Sequence, residues 1–259
     1  MRGMPPPIRN LELRDRLSEQ LGEALEDRRG AAHLYLLRSF GRLVDERERV
    51  EVPRGVLIEA AEIAFRQVGI GVSGREALGE LLRGGLLEQT GEDVGEDRLT
   101  PGKGLLAEWS AAISRTEACC RALETLYRRP IRPTGEVERA MDEAACLFNE
   151  GLFFEVHEVL EAVWLKQEGD ARPLLQGLIQ IAVGFHHLEN RNLNGALSLL
   201  REGREKLKGF CRERFGLNLD RFLEQADECR RTIESLGSEA FDRFDRQMIP
   251  RMHLSHGEA

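Results

Sequence analysis

Between Arg172 and Glu189 the chain carries no charged residue, and the stretch from Pro173 to Leu188 is its longest uncharged run. A membrane-spanning helix needs about 20 predominantly apolar residues. This run is shorter and contains Gln176, Gln180, His186 and His187. It therefore predicts a helix buried nearly all round inside a globular domain. Such a helix constrains the rest of the fold. It needs neighbours on several sides, and each polar group on it needs a partner, because an unpaired buried polar group costs roughly 1–3 kcal/mol.

The composition agrees with a helical, water-soluble chain. Of 259 residues, 41% are hydrophobic, 32% charged and only 6% aromatic. That apolar share is close to the globular average and excludes a disordered chain. The net charge of −8 argues against a generic nucleic-acid binder, which needs a basic field. Met1 to Pro7 is proline-rich and lacks the apolar core of a signal peptide, so a cytoplasmic location and no membrane partner are expected. Cys119, Cys120, Cys146, Cys211 and Cys229 are odd in number and form no CxxC pair, which predicts reduced cysteines.

Pro130, Pro133 and Gly135 lie within six residues and stop any helix arriving from Leu123. The expected organisation is a tail at 1–8, a first domain at 9–128, a linker at 129–136, a second domain at 137–248 and a tail at 249–259. Residues 1–130 hold 20 basic and 22 acidic side chains, and residues 131–259 hold 17 and 23, so the acidity belongs mostly to the second half.

The first half predicts helices followed by one hairpin. Leu34, Leu37, Phe40, Gly41 and Val44 form one helical stripe, and Leu57, Ala61, Ala64, Phe65 and Val68 form another. Ser73 and Glu76 make a capping box that opens a helix through Ala77, Leu78, Leu81 and Leu82. Two strands follow, at 86–90 and 98–100. Three helices and a hairpin resemble a winged helix, but the charges oppose DNA binding. Arg75 and Arg83 on the last helix are cancelled by Glu76 and Glu80. The hairpin tip carries Glu92, Asp93, Glu96 and Asp97 against Arg98 alone. A homodimer contact or a protein partner is the expected use of this domain, with no nucleic-acid residues.

The second half carries the chemistry. On a helix from Leu152 to Leu165, the residues Leu152, Val156, Val159, Leu160, Val163 and Trp164 form an apolar face. His157, Glu161, Glu158 and Glu155 follow in angular order on the remaining arc. Glu150, Glu155, Glu158 and Glu161 are four acids within twelve residues, with no Lys or Arg before Lys166. Gln176, Gln180 and His187 share one stripe of the uncharged helix, and the arc of the preceding helix is their expected partner. Carboxylates packed against an uncharged helix call for a cation, since each unpaired buried ion costs several kcal/mol. The expectation is a site for one divalent metal ion or a polar ligand. The competing expectation is a structural polar network.

Phe148-Asn149-Glu150-Gly151-Leu152-Phe153-Phe154-Glu155-Val156-His157-Glu158, with Leu160-Glu161 and Trp164, is a long ordered motif. Leu175-Gln176-Gly177-Leu178-Ile179-Gln180-Ile181-Ala182, with His187, Asn192 and Gly195-Ala196, is a second. Together, over about residues 137–207, they resemble the helical family catalogued as domain of unknown function 309. The resemblance implies an all-α domain of about five helices and the label predicted metal-dependent hydrolase. Its motif positions here are Glu155, His157, Glu158, Glu161, Trp164, Gln176, Gln180 and His187. His186 stands where the family often has an aromatic residue. The fold class expected is thus mainly α: a C-terminal helical bundle of about five helices, preceded by a small winged-helix-like domain with one β-hairpin. In the expected chemistry His157, Glu158, Glu161 and His187 hold the metal, Glu155 is the base, and Gln176, Gln180 and Trp164 complete a ligand network. The alternative is a non-enzymatic adaptor or regulator.

Overall fold

A computed structural model describes residues 5–44, 51–90, 97–129, 135–210, 213–214 and 216–254. Glu92, Asp93 and Glu96 of the hairpin tip, most of the linker, Cys211 and His256 lie outside the described residues. The chain divides into two compact units, residues 5–127 and residue 128 onward.

The first unit opens with α1 (Leu11–Glu26), where Asn10 Oδ1 accepts from the Leu13 NH at 3.2 Å. A 3-10 turn leads into α2 (Ala32–Leu43), followed by the short strand β1 (Val52–Pro53), α3 (Arg54–Val68) and α4 (Gly74–Arg83). Ser73 Oγ accepts from the Glu76 NH at 3.2 Å and fixes the start of α4. Strands β2 (Leu87–Thr90) and β3 (Arg98–Pro101), then α5 (Lys103–Ala107) and α6 (Trp109–Tyr127), complete the unit. The sheet has three strands rather than a hairpin alone. β1 pairs antiparallel with the far edge of β3, giving the order β1-β3-β2. Two residues ending in proline were too short to show a period-2 pattern.

Helix α2 is the core of this unit. Leu34, Tyr35, Leu36, Leu37 and Phe40 are completely buried, and α1, α3, α4 and α6 pack around them. Burying Arg38 there requires compensation. Its guanidinium donates to Glu124 Oε1 at 2.7 Å and lies 4.3 Å from the Tyr35 ring centroid.

The second unit is helical: α7 (Glu136–Asn149), α8 (Phe153–Trp164), α9 (Ala171–Glu189), α10 (Leu193–Leu207) and α11 (Leu219–Leu236). A small hairpin, β4 (Glu213–Arg214) with β5 (Leu217–Asn218), precedes α11, and a single helical turn, α12 (Ala240–Arg243), follows it. Gly151, at φ 75°, takes the left-handed conformation that lets the chain turn from α7 into α8. Asn218 caps α11, accepting from the Arg221 NH at 3.2 Å. The ring of Phe148 at the end of α7 meets Phe153 of α8, Phe185 of α9 and Phe222 of α11 edge-to-face, at 5.0, 6.0 and 5.6 Å.

Residues 249–254 are not a loose tail. Met252 is buried, and Asn149 bonds it on both sides, donating to its carbonyl at 2.9 Å and accepting from its NH at 2.8 Å.

No residue of α9 is exposed, as its uncharged sequence predicted. Its closest partner is α10, and small residues make the approach possible. A Cβ on Gly203 would lie 2.7 Å from the Gly177 carbonyl oxygen, and one on Gly177 would lie 2.5 Å from Leu207 Cγ. Among the described residues no helix is long and apolar enough to cross a membrane.

Gly203→Ala is expected to destabilise the protein by about 2 kcal/mol, because backbone cannot rotate out of the way of the new methyl group. Helix propensity alone would favour alanine by ~1 kcal/mol. Urea midpoints will separate the two effects, with Gly209→Ala as control, since nothing lies within 4 Å of a Cβ there. The four described cysteines are buried thiols outside any disulfide, and burial pushes the Cys120 and Cys229 thiols up to about 12. Cys120 and Cys229 should therefore stay unmodified by a thiol reagent in native protein and react after urea unfolding.

Candidate functional site

Helix α8 exists because its apolar residues repeat at helical spacing and bury Phe153, Val156, Leu160 and Val163. That burial turns His157, Glu158 and Glu161 the other way. One ligand atom from each of the three lies within 4.8 Å of the other two. His157 Nδ1 is 3.0 Å from Glu158 Oε1, and its Nε2 is 3.3 Å from Glu161 Oε2. The imidazole is a quarter exposed, while Glu158 and Glu161 are about half exposed, at 53% and 44%. The cluster is therefore open to solvent on the carboxylate side. Phe154 lies beside it, with its ring centroid 6.1 Å from His157 and 5.6 Å from His186 of α9.

Glu155 is not brought into this group. It is 3% exposed and lies on the buried side of α8. At ~100° per residue it sits about 160° around the helix from His157 and about 60° from both Leu152 and Glu158. Its position at that edge left packing to decide whether it would be covered. A base for the cluster would have to reach solvent, and Glu155 does not.

The stripe of Gln176, Gln180 and His187 is present, but among the described residues its hydrogen-bond partners are on α10 and the turn before it, not on α8. Lys206 Nζ donates to Gln176 Oε1 at 3.0 Å, and Gln180 Nε2 donates to Glu202 Oε2 at 3.0 Å. Ser198 Oγ donates to the other oxygen of Glu202 at 2.8 Å. Asn192 Nδ2 lies 3.2 Å from His187 Nδ1, and a Cβ on Gly195 would come within 2.9 Å of His187 Cδ2. These partners run in antiparallel order: 206, 202 and 195 opposite 176, 180 and 187.

His187 is thus held in a hydrogen-bonded turn and does not join His157. Asn192 Oδ1 is occupied by the Gly195 NH at 3.0 Å, so its amide nitrogen faces the ring and Nδ1 must accept. Of the two adjacent histidines it is His186 that lies on the α8 side, against Phe154. Signals for this arrangement were in the sequence. Gly177, Gly184 and Gly203 mark the close helix crossing, and Glu202 and Lys206 repeat at the i,i+4 spacing of the two glutamines.

Trp164 has a structural setting. Arg172 stacks over its ring at 4.3 Å and donates to the carbonyls of Trp164 and Gln167 at 3.2 and 3.1 Å, which closes the α8–α9 loop. The indole nitrogen is buried without a hydrogen-bond partner among the described residues.

Residues 141–199 match the family model described as "Domain of unknown function (DUF309)". The DUF309 stretch begins within α7 and ends within α10, so it contains all eight motif positions, while the first unit and α11 lie outside it. The family expected from the two motifs is the one matched, over a shorter span than 137–207. The DUF309 description carries no activity. No curated protein matches the chain.

Burial, and secondarily the neighbouring His186, hold the His187 imidazole below its ordinary value of 6.5. As the pH falls below about 6.5, the unfolded chain takes up this proton before the folded one. Stability should therefore decline with falling pH until the folded imidazole is protonated too. NMR titration should give His187 a midpoint below that of free histidine. His187→Asn should weaken the loss of stability between about pH 7 and pH 5.

Proposed function

We propose that the DUF309 domain is a metal-dependent hydrolase whose divalent ion is held by His157, Glu158 and Glu161. What supports this reading is the convergence of three donors of suitable chemistry within 4.8 Å of one another. A single ion with bonds of about 2.0–2.2 Å keeps two ligand atoms no more than roughly 4.4 Å apart, so small side-chain rotations suffice. One imidazole and two carboxylates suit zinc, manganese or iron(II). When bound, such an ion supplies Lewis-acid polarisation and acidification of water. The three donors come from one helix and leave its remaining positions open on the exposed side, where substrate can arrive. Phe154 and the packed helices behind it shield the opposite side. Glu155 and His187 have no part in this version.

A second reading has its own observation. His157 already faces a carboxylate with each of its ring nitrogens, at 3.0 and 3.3 Å, an arrangement that needs no ion when the ring is protonated. That favours a non-enzymatic adaptor or regulator. For the first unit we infer a winged-helix-like module that contacts a second copy or a protein partner, supported by its helix and strand order. The four described cysteines, buried as thiols and not joined in disulfides, support a cytoplasmic setting.

Titration calorimetry with Mn²⁺ and Zn²⁺ is expected to show one site, weakened about tenfold or more by His157→Ala and by Glu161→Ala. Metal-stimulated cleavage of nitrophenyl esters or phosphates, lost in Glu161→Ala, would support the hydrolase. Binding without cleavage would leave a metal site alone. No binding would leave the adaptor.

A further inference from the structure

Helix α3 leaves large apolar side chains on its outer face. Its inner side buries Leu57, Ala61 and Phe65, and it packs on α2, α4 and β1. Of the six large hydrophobic side chains exposed among the described residues, two stand on α3: Val56 and Ile63, each 46% exposed. They are two turns apart and therefore share one line of the helix, with the small, half-buried Ala60 between them. At ~100° per residue, Glu59 and Arg66 form a second line about 60° further round the same outer face.

The charges of that second line are unused. Glu59 and Arg66 are exposed, and neither has an ion-pair partner among the described residues. Glu62 leans away from them toward α4, where its Cγ would lie 3.3 Å from a Cβ on Gly74. Glu59 and Arg66 are themselves two turns apart, about 10 Å along the axis. One anion and one cation at a fixed spacing, with an apolar side chain midway, make a face that is complementary to its own inverted copy. A symmetric dimer needs that property, because the same patch must serve on both chains.

We propose, on the reading of the first unit as a module that contacts a second copy, that α3 packs antiparallel on the α3 of another chain about a twofold axis beside Ile63. Glu59 of each chain then faces Arg66 of the other, and the two Ile63 side chains meet at the centre. Val56 of each falls on the last turn of the other, and Ala60 lets the backbones approach. A parallel arrangement sets Glu59 against Glu59 and Arg66 against Arg66, so the charges select the antiparallel one. A foreign partner would have to offer a cation and an anion at the same spacing, whereas a second copy carries them by construction. A contact confined to one helix buries less than the ~1,200 Å² of a stable complex. The dimer is therefore weak, with a Kd on the order of 100 μM.

Sedimentation equilibrium of the full chain at low ionic strength, from about 10 μM to about 1 mM, tests the proposal. A monomer–dimer equilibrium is expected, weakened about tenfold or more by Ile63→Glu. Glu59→Arg and Arg66→Glu should each weaken it about tenfold, because like charges then face each other at both ends. Salt should shrink those two losses. Mixed together, the two single variants should associate at near wild-type strength, since arginines on one chain then face glutamates on the other at both ends. Leu165→Glu, at the most exposed of the six hydrophobic positions and in the other unit, should change nothing. A chain that stays monomeric at about 1 mM overturns the proposal. A dimer insensitive to Ile63→Glu overturns the α3 surface while the second-copy reading of the first unit stands. Weakening by the charge variants without recovery on mixing overturns the antiparallel twofold. Recovery on mixing also excludes misfolding as the cause of either loss, because misfolded chains do not rescue one another.

Discussion

The close crossing of α9 and α10 is the constraint on which the second unit depends. A helix without charges must lose water on nearly every side, and only backbone-to-backbone approach on one flank leaves room for side-chain packing on the others. Gly177 and Gly203 provide that approach, with Gly184 against Leu200 extending it. Larger residues would push the helices apart, and the hydrogen bonds of Gln176, Gln180 and Glu202 would be lost with the spacing.

The Phe148 ring cluster does the complementary work on the other side of α9. It joins the ends of α7, α8, α9 and α11 through edge-to-face contacts, each worth about 0.5–1.5 kcal/mol beyond buried area. Because Phe153 and Leu160 are anchored in this core, the rotation of α8 about its axis is set. The side that remains is the one bearing His157, Glu158 and Glu161. The candidate site is thus the exposed consequence of a buried fit, and it stands on a rigid element rather than on a loop.

Local signals were legible in the sequence where the physics is local. Ser73, Gly151 and Asn192 each mark a helix end, and each occupies that place in the fold, because capping depends only on residues a few positions away. The i,i+4 and i,i+3 relations among His157, Glu158 and Glu161 follow from helix geometry alone, so their convergence could be read directly. The partners of Gln176, Gln180 and His187 could not. The stripe was real, but which neighbour it faced depended on two helix–helix interfaces competing for the same side of α9. The glycines that decided the competition looked unremarkable one at a time. Strand β1 carries no signal of its own for a similar reason, since two residues have no periodicity and pair only because β3 offers a free edge.

By itself the sequence determined that the chain is mainly helical, that α9 is buried, that the family motifs lie in the second half, and that one helix carries a histidine and two glutamates on a common face. These follow from periodicity, charge and capping, which act over a few residues. Only the tertiary structure decided that Glu155 is covered while Glu158 and Glu161 are open, that His186 and not His187 lies against the α8 aromatic, and that Val56 and Ile63 of α3 stay exposed. Each of those outcomes depends on which surfaces exclude water from one another, and that is a property of packed helices and strands rather than of any one of them.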